Sequence, residues 1–149
     1  MKDIKFLEKS IKKFKDGGGL HPDKNMGNLF LKLLWVKNQA QIFHWQTESN
    51  AQHTTLGAFY DGFAWKLDRL AEVIFGNNKK VCRIEGNNSI EFVNFSEQAL
   101  EDFCKKVKYI LTEEFQKYVP NTPQNLGIYH VLGDIVELVN KTEYLLSQE

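Results

Sequence analysis

The segment FHWQTESNAQHTTLGAFYDGFAWKLDRLAE, Phe43 to Glu72, gathers side chains able to hold a metal ion. It contains His44 and His53, two of the four histidines in the 149-residue chain, and ends on Asp68 and Glu72. At i and i+4, these two carboxylates project together from one helix flank and suit a hard or borderline cation. Alone, such a pair is an ordinary solvated flank. Rotating about 100° per residue from His53 gathers Leu56, Phe59, Phe63, Leu67, Leu70 and Ile74 on one core face. His53, Asp68 and Glu72 fall along its flank.

Distance constrains what these groups can do together. His53 and Asp68 stand about 22 Å apart along a straight helix, so they cannot share an ion within one subunit. They can share one only if this helix packs antiparallel on its own copy across a two-fold axis near Asp61 and Gly62, giving two equivalent sites per dimer. Gly57 and Gly62 remove bulk, either for such an approach of backbones or for neighbouring aromatics.

Four long helices are expected to carry these groups. The first spans about 23–47, with Leu29, Leu33, Val36, Ala40 and Phe43 as its apolar stripe. A short turn at Glu48-Ser49-Asn50 leads to the second, about 51–75, stopped by Gly76-Asn77-Asn78. Residues 79–95 favour β structure and predict either a small hairpin or a loop crossing the bundle. The third helix covers about 97–118 and the fourth about 124–146, separated by Pro120-Asn121-Thr122-Pro123. A short first link makes the first two helices antiparallel neighbours, and the longer second link makes one long crossover. Before them, residues 2–16 pattern as an extra amphipathic, lysine-rich helix, broken by Gly17-Gly18-Gly19. The expected division is therefore an arm with its hinge at 1–19 and a bundle at 20–149.

Nineteen basic and nineteen acidic residues cancel, which argues against non-specific binding to nucleic acid or acidic membranes. A DNA-binding role for the arm is thus disfavoured. No apolar run approaches the ~20 residues of a membrane span, and the charged N-terminal stretch is not a signal peptide. Cys82 and Cys104 form no CxxC pair and suit a reducing compartment, so a cytoplasmic location is expected.

FHWQT, the second histidine, FYDGF and LDRLAE together resemble the signature of Dps-family mini-ferritins: HWN, a short glycine-containing loop, LHxxFD and then DxxAE. The likeness is close over about thirty residues and extends in architecture to most of the chain. The sequence is also similar to ferritin-like proteins of viruses and phages. The resemblance implies an all-α fold, a ferritin-like antiparallel four-helix bundle with one long crossover. It further implies a homodimer, built up into a hollow twelve-subunit shell, that oxidises Fe²⁺ with peroxide or oxygen and stores it. On this reading His44 and His53 of one subunit and Asp68 and Glu72 of its partner are both the metal ligands and the catalytic groups. These ligand types also suit zinc or manganese. The loop between the histidines is about one turn shorter than usual, and Gly57 stands where the family has an aspartate. Asp61, near the inferred two-fold, is a poor substitute. A non-catalytic ferritin-like scaffold or interaction protein is therefore the alternative.

Other groups have plainer readings. His130, Asp134 and Glu137 read as a solvated flank paired with Lys141, Glu113 and Glu114 as exposed, and Trp45 and Trp65 as packing residues. No histidine has a glutamate three residues before it, so the Glu-x-x-His motif that places two irons inside one bundle is absent.

Overall fold

The computed structural model describes residues 25–79, 82–85 and 89–148. Helix α1 is Met26–Gln46, α2 is Asn50–Asn78, α3 is Glu97–Tyr109 and α4 is Leu126–Ser147. A π-helical turn, Ile110–Glu114, and a final turn, Phe115–Tyr118, continue α3 without a break, and the 3-10 turn Pro123–Asn125 leads into α4. Among the described residues there is no β-strand, which leaves the loop reading for the segment after α2. The lysine-rich arm and its glycine hinge lie outside the described residues.

Ring and polar contacts fix how the helices run. Phe30 meets Phe75 and His44 meets His53, so α1 and α2 are antiparallel. Arg69 pairs with Asp134 near the middle of α2, and Asn77 bonds Asn125 at its end, so α2 and α4 are antiparallel too. Lys108 pairs with Glu143, while Phe115 packs on Tyr129, giving the same relation between α3 and α4. Phe43 packs on Phe103 at one end and Lys32 bonds Glu114 at the other, which closes the ring between α1 and α3. The order is up, down, down, up. Because α2 and α3 run the same way, the chain must return the length of the bundle between them.

That return is an extended strap along α1. The Arg83 carbonyl lies over Gly27, where a Cβ would collide with it. Further on, Trp35 Nε1 donates to the Glu91 carbonyl at 3.1 Å. Gln39, fully buried, donates to the Val93 carbonyl and accepts from the Val93 N–H, both at 2.9 Å. Its amide supplies the pair of bonds a neighbouring strand would offer, so a single extended strand is satisfied without a sheet. Gln46 accepts from the Phe95 N–H at 2.6 Å, and the Ser96 side chain caps α3 by accepting from Ala99 N.

The core lies between the helices, with Phe43, Phe63 and Phe115 fully buried. At the π turn the Phe115 N–H reaches back five residues to the Ile110 carbonyl. Ile110 and Leu111, at 1% and 2% exposed, both face inward at this turn. Helix α2 continues three residues past its expected end. Gly76 stays helical and Lys79 makes the left-handed exit at φ 52°, a turn usually left to glycine or asparagine. No described helix is long and apolar enough to cross a membrane.

Candidate functional site

The link between α1 and α2 holds the two histidines at one end of the bundle. Ser49 caps α2 by accepting from Gln52 N, and the Thr47 hydroxyl donates to Gln52 Oε1 at 2.5 Å. Gln52 is buried and passes its own amide protons to Glu97, tying the corner to the start of α3. His44, in the last turn of α1, and His53, in the first turn of α2, are thereby brought face to face. Their rings stack at 3.8 Å between centroids and 16° between planes.

Each imidazole is held by the other residue's backbone. His44 Nδ1 lies 2.6 Å from the His53 carbonyl, and His53 Nδ1 lies 2.8 Å from the His44 carbonyl. A carbonyl oxygen only accepts, so both Nδ1 atoms carry the proton, and in the neutral form of each ring the lone pair lies on Nε2. Histidine ligands in metal sites are commonly oriented this way, with the far ring nitrogen donating to a carbonyl. Tyr60 packs on the His44 ring in a T-shaped contact, 5.3 Å between centroids.

Gly57 makes room for this arrangement. A Cβ there would sit 2.9 Å from His44 Cε1 and 3.1 Å from Nδ1. The position where the resemblance expects a carboxylate is thus taken by the imidazole itself. Gly62 points inward as well, with Leu138 of α4 at 3.3 Å from its missing Cβ. Both glycines serve contacts within the chain, rather than clearing a surface for a second helix.

Asp68 and Glu72 stand on the outward face of α2, exposed, and make no hydrogen bond or ion pair among the described residues. Helix α2 runs unbroken from Asn50 to Asn78, so the axial separation of about 22 Å from His53 holds. The structure brings His44 and His53 together and does not bring Asp68 or Glu72 to them. Among the described residues, no three His, Cys, Asp or Glu side chains converge to hold a metal ion.

Several side chains depart from their expected roles. Trp45 and Trp65 are not packing residues: they are 67% and 80% exposed. Trp65 occupies the outward face of α2 between Asp61 and Asp68, where a helix wheel already places it opposite the core. Asp134 pairs with Arg69 of α2 at 3.0 Å instead of with Lys141, because the neighbouring helix offers a cation its own helix was expected to supply. Glu114 is half-buried and paired with Lys32 at 2.7 Å, drawn inward by the wide π turn. Burial weakens the Lys32 ammonium, but Glu114 and the nearby Tyr118 outweigh it and hold its pKa above the ordinary value. Burial, with Glu143 nearby, pushes the Cys104 thiol up to about 11, which leaves it protonated and a poor ligand or nucleophile at neutral pH.

The sequence profile of a family of unknown function (DUF5856) matches residues 44–146, more than half of the chain, and the chain belongs to that family. The matched span begins at His44 and includes His53, Asp68 and Glu72. No curated protein and no solved structure matches the chain.

Proposed function

We propose that this DUF5856 member is a Dps-like iron protein with a ferritin-like bundle, which binds and oxidises Fe²⁺ between two copies of the chain. The observation that carries this reading is the locked histidine pair. Two imidazoles with their Nδ1 protons fixed on carbonyls leave Nε2 as the donor atom, the form a borderline cation requires. The up-down-down-up order with one lengthwise return is the connectivity of ferritin-like bundles and supports the same reading.

His44 and His53 of one copy would face Asp68 and Glu72 of an antiparallel copy, so that neutral donors and anionic donors meet at each end of the paired α2 helices. Iron is the substrate. Two Fe²⁺ each give up one electron, and one hydrogen peroxide takes up both electrons and two protons as its O–O bond breaks, leaving two waters. Zinc or manganese would fit the same donors without turnover. Assembly into a hollow twelve-subunit shell would give the oxidised iron a place to deposit.

Incubating the protein with Fe²⁺ and peroxide, and following ferric absorbance, tests the proposal. Oxidation well above buffer, lowered at least tenfold in His53→Ala and in Asp68→Asn, is expected. Oxidation no faster than buffer, or rates in both variants unchanged from the native chain, would sink it.

Gly57 favours a second reading, a ferritin-like scaffold without redox chemistry. With the His44 ring filling that position, the donor set lacks one carboxylate. A metal-free assembly of defined mass that neither binds nor oxidises Fe²⁺ is the outcome that reading expects.

A further inference from the structure

A cleft of about 360 Å³ opens on the side of the bundle away from α2. Its walls are α1, the strap, and α3 with its π turn, and its size falls within the range of small-molecule sites. Trp35, Leu31 and Ile90 supply apolar surface, with Tyr118 at one end. The π turn shapes one wall, since its first and last residues, Ile110 and Glu114, both line the cleft. Such wide turns recur where a helix has been adapted to a site.

The cations lining this cleft are in different states. Lys32 is satisfied by Glu114 at 2.7 Å and lies 5.9 Å from the Tyr118 ring centroid. Lys106 has no carboxylate within ion-pair distance among the described residues. Its ammonium sits 4.5 Å above the Trp35 ring, whose indole N–H is tied to the Glu91 carbonyl of the strap. An ammonium over an aromatic face is held more weakly than one bonded to an anion in a partly desolvated site. Lys106 is therefore positioned at the cleft with its strongest kind of partner missing. Glu91 also lines the cleft, from the exposed strap, and is the group that would oppose an anion there.

We propose that this cleft is a binding site for a small organic anion, with an apolar body against Leu31, Trp35 and Ile90 and its carboxylate or phosphate on Lys106. The Lys32–Glu114 pair fixes the far wall and orients polar groups on the ligand. The site is separate from the histidine pair and does not depend on the iron reading.

Trp35 reports on it directly. In the full-length W45F/W65F background, Trp35 is the only tryptophan left, and its emission can be titrated with benzoate, phenyl phosphate, neutral benzamide and cationic benzylamine. The expected result is a saturable change with at least one anion, and none with benzamide or benzylamine at the same concentration. Benzoate alone would assign carboxylates, phenyl phosphate alone would assign phosphate esters, and both together a general anion site. Lys106→Gln should weaken the anion about tenfold. Lys105→Gln, which alters a neighbouring lysine paired with Glu101, should not change it. No saturable response to either anion, an equal response to benzamide or benzylamine, or unchanged affinity in Lys106→Gln would overturn the proposal.

Discussion

Two candidate ligands lie toward each end of α2, His53 with His44 of α1 at one and Asp68 with Glu72 at the other, and the two pairs are treated in opposite ways. At the His53 end, both rings are stacked and both Nδ1 atoms are committed to carbonyls, with a glycine clearing the space they fill. At the Asp68 end, the carboxylates stand in solvent with no partner among the described residues. The difference follows from what each donor needs. An imidazole must present one nitrogen as a lone pair, so its tautomer and direction have to be set in advance. A carboxylate is acceptor-only when ionised, so either oxygen serves, and it loses little by waiting in water for a cation. On the proposed reading, the chain organises the donors that require organising.

The strongest challenge to that contrast is Gly57→Asp. It adds the carboxylate that the family resemblance expects, but its Cβ would lie 2.9 Å from the His44 ring. The ring cannot move aside without giving up its bond to the His53 carbonyl. We expect a loss of about 1–3 kcal/mol, the usual cost of overpacking a filled position, read as a lowered urea midpoint at unchanged slope. The His44 ring resonances should shift as well. Full stability with a faster rate of iron oxidation would show that the histidine end is adaptable, and the contrast would then fail.

How much of this was legible in the sequence depends on the kind of signal. Helical periodicity marks the core faces, and the short Glu48-Ser49-Asn50 link makes α1 and α2 antiparallel whatever follows them. The single long return is equally visible, since a segment of β-favouring residues lies between two helical patterns. That it forms no sheet was not visible, because it depends on Gln39 and Gln46, ordinary polar residues of α1 whose amides happen to face the strap. The separation of His53 from Asp68 is simple arithmetic on one helix. The stacking of His44 on His53 is not, as it depends on where two helices meet and on the missing Cβ of Gly57. Lys106 and the π turn carry no sequence signal, since hydrogen bonding to i−5 leaves the apolar pattern of α3 nearly regular. The exposed Trp65 was legible and misread: composition suggested packing, while its position on the helix wheel pointed outward.

A second glycine on the same helix sharpens the contrast with a smaller effect of opposite sign. Gly76 lies in the last turn of α2, and a Cβ there would meet nothing within 4 Å. Gly76→Ala should therefore gain helix propensity without a clash and raise stability by about 0.5–1 kcal/mol. Measured beside Gly57→Asp in the same urea series, it separates the general weakness of glycine in a helix from the specific need for one beneath His44. Destabilisation by Gly76→Ala would show that the end of α2 is more constrained than its exposure indicates.

The smallest effect is expected at the carboxylate end. Asp68→Asn with Glu72→Gln removes two charges from side chains that contact nothing else among the described residues. Surface changes of this kind fall within about 0.5 kcal/mol, so the stability of the isolated chain should barely move. The same double variant should weaken metal binding wherever the carboxylates act as ligands to an ion carried by a second copy. Pairing the two measurements is what gives the null its force. A large loss of stability in the dilute chain would mean that Asp68 and Glu72 already serve the fold, and would remove the reason for assigning them to a partner's ion. Unchanged stability together with weakened Fe²⁺ or Zn²⁺ binding in the concentrated protein is the outcome expected of donors that wait for a second subunit.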